Sequence, residues 1–159
     1  MVSQGNFHGE IVALACDAMS LALFELGSIS ERRMDQMLDP TRSGLPAFLA
    51  SNSGLESGLM IVQYAAGSSL AELHGQSAPR TAFSTTTSAG QEDHVSMGAT
   101  AAWNLRVGVR RLSEVLACEL LIASEALEHA SFSSSPHVNG LVQLVRTISP
   151  PLQGDRSTS

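Results

Sequence analysis

Leu105-Arg106-Val107-Gly108-Val109-Arg110-Arg111-Leu112-Ser113-Glu114-Val115-Leu116 forms the middle of the longest periodic stretch in the chain. Leu105, Val109, Leu112, Leu116, Leu120, Ala123 and Leu127 recur at steps of three or four, which places them on one side of an α-helix, and Val115 and Ile122 widen the stripe. The pattern predicts a helix from Glu92 or Asp93 to about Glu128 (residues 92–128). About 35 residues rising ~1.5 Å each make a rod of roughly 50 Å. The other helical patterns in the chain are too short to bury such a rod. It requires partner helices, most simply from other subunits.

Just upstream stands Gly90-Gln91-Glu92-Asp93-His94-Val95-Ser96-Met97-Gly98, preceded by the Ser/Thr-rich run from Phe83 to Ala89. Carboxylates suit the first turn of a helix, where unpaired N–H groups and the positive dipole end lie. The plain reading of this stretch is therefore a helix start with a negative first turn. Gly75 to Ala89, with Pro79, reads as a long loop of the functional or disordered kind.

Further out, Ile11 to Leu26 predicts a first helix. Val12, Leu14, Ala15, Ala18, Met19, Ala22, Leu23 and Leu26 populate nearly every face, so the helix is expected to be buried. Gly27 is expected to end it. Ser28 or Ser30 then caps a short second helix, Glu31 to Leu38, stopped by Asp39-Pro40. Thr41 to Leu55 is a loop, and Ser57 to His74 a largely apolar third helix. Residues 1–130 are thus expected to form one helical domain, 131–149 a Ser-rich linker with a weak final helix (Val138 to Ile148), and 150–159 a disordered tail.

Composition agrees with packed helices. Of 159 residues, 43% are hydrophobic, only 15% are charged and 4% aromatic. Charge is well below the usual quarter, which implies that much of the outside is covered. The net charge of −6 argues against nucleic acid, which needs a basic patch. Arg106, Arg110 and Arg111 cluster, but on a helix they read as a solvated or salt-bridged face. Cys16 and Cys118 sit inside apolar patterns, as buried free thiols do. The five histidines show no metal-ligand spacing, and no metal is expected. Gly5 to Glu10 is polar, unlike a signal peptide, and the apolar run Ser57 to Ala71 is too short to span a bilayer. The expectation is a cytoplasmic protein with no membrane segment.

Gln91-Glu92-Asp93-His94-Val95-Ser96-Met97-Gly98 resembles the C-terminal half of histidine ammonia-lyase, in the family of aromatic amino acid lyases and aminomutases. Other strings agree in the family's order: Gly5-Asn6-Phe7-His8-Gly9-Glu10, Glu25-Leu26-Gly27-Ser28-Ile29-Ser30-Glu31-Arg32-Arg33, Asp39-Pro40, Ser43-Gly44-Leu45-Pro46 and Ser57-Gly58-Leu59-Met60-Ile61. Collinear strings of this length are far more specific than a lone short motif. The resemblance implies an all-α, long-helix bundle of the aspartase/fumarase-like kind. It also implies elimination of ammonia by an electrophilic 4-methylideneimidazole-5-one ring.

The resemblance assigns roles to individual residues. Phe7 corresponds to a phenylalanine beside the electrophile and substrate, although by itself it reads as a core aromatic. Met60 corresponds to a methionine lining the side-chain pocket, where a bare reading gives core filler. Glu92 corresponds to a catalytic glutamate near the imidazole of histidine. A carboxylate can accept an imidazole N–H, and phenyl offers no such partner. This favours histidine as substrate, with tyrosine or phenylalanine next. Gln91 is a neighbouring substrate-binding candidate. His94 is read as packing or capping, and His8 is left open.

The ring forms from an internal Ala-Ser-Gly, and this chain has none. The family's tyrosine loop and Gln–Tyr–Ser–Arg string are missing as well. Two accounts follow. In one, the lyase is split: a partner chain carries the ring, in a hetero-oligomer on a tetrameric core, and this chain is inactive alone. In the other, it is a truncated, non-catalytic scaffolding homologue. An aminomutase subunit would use the same residues. Departures at Phe83 and Thr86, where the family tends to aspartate and proline, leave the loop's shape and the exact substrate open, and Glu56, where asparagine is common, is another departure.

Overall fold

A computed structural model describes residues 5–131 and 133–157. Among them the chain is all-α, with five α-helices: α1 (Glu10–Leu38), α2 (Pro40–Ser43), α3 (Met60–Gln76), α4 (Gly98–His129) and α5 (Pro136–Arg146). Short 3₁₀ turns lie at Gly5–His8, Ala47–Leu49 and Ser88–Gly90. Contacts divide the chain into two compact units, Met1–Gly27 with Ser69–Ser113, and Ser28–Ser68 with Glu114–Ser159.

The first helix and the long helix differ most from expectation. Gly27 does not end the first helix; α1 runs unbroken for 29 residues to Leu38. The glycine serves close packing instead. A Cβ there would lie 2.8 Å from Leu73 Cδ2 and 3.3 Å from Leu70 Cδ1. The long helix starts at Gly98 rather than at Glu92 or Asp93, and spans 32 residues. Met97 has a φ of 52°, which a right-handed helix cannot continue through. Ser96 Oγ then accepts the Gly98 N–H at 3.2 Å and caps the first turn.

In the first unit, Ala13, Leu73, Ala101 and Leu112 form the buried apolar core, and Gly108 lets α4 approach Leu23 and Leu73. In the second, Met34, Leu38, Leu49, Val115 and Ile122 do so. A polar cluster on buried Ser30 accompanies them. Ser30 Oγ donates to Glu119 Oε2 at 2.6 Å, and Arg33 clasps the same carboxylate with both Nε and Nη2. Those donors hold the Glu119 carboxyl below its ordinary pKa, Arg33 contributing most.

The expectation that α1 is buried on every face is not met within this chain. Asp17, Ser20, Ser30 and Glu31 are buried, whereas Ile11, Val12, Leu14, Met19, Leu21, Leu26 and Ile29 are exposed. Small and polar side chains allow close approach inside the chain, and the larger apolar ones point away from it. By length and composition α1 also meets the measure of a membrane-crossing helix, a test that core helices pass too. The same asymmetry appears on α4, where Val109, Leu116 and Leu120 of the sequence stripe stay exposed.

α5 begins two residues earlier than its periodicity suggested, because Ser135 caps it and Pro136 supplies the first residue. Of residues 150–159, expected as a disordered tail, 150–157 pack as part of the second unit and 158–159 lie outside the described residues. Leu152 N–H donates to Glu125 at 3.0 Å, and Ser51 Oγ donates to the Leu152 carbonyl at 3.1 Å. Glu125 is buried and also pairs with Arg146 at 3.0 Å.

Candidate functional site

The segment from Thr87 to Met97 is a loop, and its turns come from the local sequence. Ser88 and Ala89 both take positive φ, and Gly90 follows at 87°, so the chain reverses over three residues. That reversal brings Glu92 back against Thr87. Thr87 N–H donates to the Glu92 carbonyl at 2.9 Å, and Thr87 Oγ1 donates to Glu92 Oε2 at 2.6 Å. The Glu92 backbone and carboxylate are thereby fixed together.

The other carboxylate oxygen, Oε1, faces His8 Nε2 across 4.0 Å, too far for a direct hydrogen bond. His8 reaches this place through its own backbone, since Ser96 Oγ donates to the His8 carbonyl at 2.6 Å. Beside it, His94 Nε2 pairs with Glu10 Oε2 at 3.1 Å at the start of α1. Three links thus tie the turn Gly5–His8 and the head of α1 to the Glu92 loop. Glu92 is partly open to solvent, and Oε1 keeps lone pairs able to accept an N–H donor. Gln91 is adjacent and exposed. Phe7 lies in the turn beside His8, but its side chain falls outside the described residues.

Behind the loop a second network holds its beginning. Asp17, 6% exposed, accepts the Thr81 N–H at 2.9 Å and the Thr81 hydroxyl at 2.7 Å. Burial opposes the Asp17 charge, but the donors from Thr81 and Arg80 outweigh it and hold the pKa below its ordinary value. Arg80 Nη2 donates to Asn104 Oδ1 at 2.8 Å, and Asn104 Nδ2 to the Gln76 carbonyl. The loop is thus anchored at Arg80-Thr81 and again at Thr87. Phe83, between the anchors, is exposed.

Met60 belongs to the second unit, half-buried at the first residue of α3. Glu56, the other departure on this side, closes its own turn by accepting the Asn52 N–H at 3.0 Å. His129 is half-buried and meets the Leu49 carbonyl at 3.2 Å. His74 is exposed against Phe24. Cys16 and Cys118 are free thiols, half-buried, and burial raises the pKa of Cys118. Among the described residues no group of three His, Cys, Asp or Glu comes together to hold a metal.

Sequence reasoning found Glu92 but missed what holds it. Thr87 lay in a Ser/Thr run with nothing to distinguish it from its neighbours, and Asp17 sat in an apolar helix without comment. An aspartate at a position that helical spacing makes internal was the available signal.

Comparison with known proteins decides the family: the model for aromatic amino acid lyases matches residues 1–147. The chain belongs to the aromatic amino acid lyase family. Histidine ammonia-lyase of Deinococcus radiodurans is 48% identical over 156 residues, covering 98% of this chain and 30% of the relative. The crystal structure of histidine ammonia-lyase from Trypanosoma cruzi superposes with a TM-score of 0.91 at 41% identity, covering 98% of this chain and 31% of that one. Phenylalanine aminomutase of Pantoea agglomerans superposes with a TM-score of 0.92 at 34% identity, covering 99% and 31%. The lyase-family chain described here therefore spans somewhat under a third of the length of these relatives.

Proposed function

We propose that this chain is the C-terminal part of an aromatic amino acid ammonia-lyase, with histidine as its substrate, and that it works with a partner chain carrying the rest of the site. The observation that carries this reading is Glu92. Its carboxylate is fixed by Thr87 through one oxygen, leaving the other oriented toward His8 and able to accept an imidazole N–H. The likeness to histidine ammonia-lyases over 98% of the chain supports the same substrate.

Phe7 and Met60 would line the substrate side chain, and Gln91 would contribute a polar contact beside Glu92. The electrophilic ring would supply capture of the substrate amine and departure of ammonia. Its covalent precursor does not fit on this chain, because these 159 residues contain no Ala-Ser-Gly. No step is therefore assigned to the ring. The part left to this chain is to orient imidazole and exchange a proton with it at Glu92, which is within the ordinary reach of a carboxylate acid–base.

The exposed apolar faces of α1 and α4 support association with further helices, in a hetero-oligomer on a tetrameric core. An aminomutase subunit is the second reading, favoured by the likeness to phenylalanine aminomutase.

The test is co-expression with a chain carrying Ala-Ser-Gly and the Gln–Tyr–Ser–Arg string, followed by an ultraviolet assay for urocanate. Turnover of histidine is expected. Glu92→Ala should lower it by at least about a hundredfold, the range of a lost acid–base group. A pure complex that leaves histidine untouched and shifts the amino group of phenylalanine or tyrosine would replace the lyase with the mutase. A complex inert to all three would leave a scaffold.

A further inference from the structure

The turn leading into α3 is strained, and a segment about a hundred residues away in the chain holds it. Phe48 and Leu49 take φ values of 53° and 58°, a region that bulky residues rarely occupy. Gly58 takes 54°, and a Cβ there would stand 2.5 Å from the Phe48 carbonyl oxygen. Leu59 N–H donates to that same carbonyl at 2.9 Å, and the next residue is Met60. The head of α3 is thus set by a backbone conformation that needs outside support.

Asp155 supplies it. Oδ1 accepts the Gly58 N–H at 2.9 Å, and Oδ2 accepts the Ser57 N–H at 2.9 Å. The segment carrying Asp155 is itself anchored, with Leu152 bonded to buried Glu125 and to Ser51. Asp155 lies beyond residues 1–147, the part matched by the family model.

We propose that Asp155 is a positioning residue: its carboxylate clasps the N–H groups of Ser57 and Gly58 and so fixes Met60 at the head of α3 for contact with the substrate side chain. The proposal rests on the lyase reading for the role of Met60, and on geometry alone for the clasp. Bonds from a carboxylate to backbone N–H groups are stronger than neutral ones, and here two neighbouring donors converge on one group. The Ser57 N–H, then that of Gly58, keeps the Asp155 carboxyl below its ordinary pKa, so the clasp stays charged at neutral pH.

Amide hydrogen exchange on the full chain in its co-expressed complex tests the clasp. Asp155→Ala should speed exchange at Ser57 and Gly58 by about tenfold, with helix content unchanged. Asp155→Asn, which keeps an acceptor without the charge, should fall between. The same variants should raise KM for histidine several-fold while kcat changes less. That KM effect should disappear in a Met60→Ala background, because the two residues would act through one contact.

Unaltered exchange at Ser57 and Gly58 overturns the clasp. Faster exchange with an unmoved KM, or a KM effect that persists without Met60, overturns the link to substrate. A wild-type complex with no turnover of histidine overturns the lyase reading instead, and exchange at the two amides still decides the clasp.

Discussion

Asp17 divides its carboxylate unequally. Oδ2 takes two bonds from Thr81, while Oδ1 is buried without a hydrogen-bond partner among the described residues. Removing the group leaves the Thr81 donors without their acceptor at the base of the Glu92 loop. Asp17→Ala should therefore destabilise the chain by about 1–3 kcal/mol, the cost of stranding partly buried donors, as read from the urea midpoint. The pH dependence follows from the lowered pKa. A carboxylate whose folded-state pKa lies below its unfolded value stabilises the fold above the unfolded value, about 3.9, and loses that contribution as pH falls through the folded one. Asp17→Asn removes this titration, so the variant should lose less stability than the parent below about pH 4. Parallel acid limbs for the two proteins would show that folding does not lower the Asp17 pKa.

At the scale of elements, two glycines contrast. Gly27 is helical, and what a Cβ would meet there is the flexible end of Leu73. Gly27→Ala gains about 1 kcal/mol of helix propensity, which offsets a small repacking, so it should be near neutral. Gly58 combines a positive φ with the Phe48 carbonyl oxygen 2.5 Å from the Cβ position, and that oxygen is backbone. Gly58→Ala should cost clearly more, about 1–3 kcal/mol, measured by thermal unfolding of the two variants side by side. Equal midpoints would mean that the turn before α3 relaxes freely. This pair also shows why element boundaries were only partly legible. The period of three to four gave α4 and its stripe, because spacing is written in the sequence. Gly27 was misread as a stop since a glycine admitted for close packing looks the same as one that ends a helix. The start of α4 was set five or six residues early, because the Thr87–Glu92 turn competes with helix over those residues through contacts that no local pattern displays. Glu92 itself was visible only through its resemblance to a family string. The clasp by Asp155 was invisible, joining as it does two loops of ordinary composition.

For the whole molecule, the informative feature is the mismatch between the stripe in the sequence and the core in the structure. Leu112, Val115 and Ile122 are buried by this chain, whereas Val109, Leu116 and Leu120 on the same helix are not. An apolar helix face that the chain does not cover has two distinct consequences. Its side chains contribute less to the chain's own stability than the buried ones, because over a third of each is still in water. In an assembly they would contribute through burial, roughly 25 cal/mol for each Å² removed from water. Replacing both Leu116 and Leu120 with glutamate therefore separates the two. Circular dichroism and the unfolding midpoint of the isolated chain should change by less than about 1 kcal/mol, as for exposed helix positions. Association with the co-expressed partner, followed by size exclusion with light scattering, should be lost, since two buried charges without partners cost several times more than the apolar contacts they replace. If the doubly substituted chain still assembles, this face of α4 is not where the partner helices lie. If the isolated chain unfolds instead, the two leucines belong to its own core.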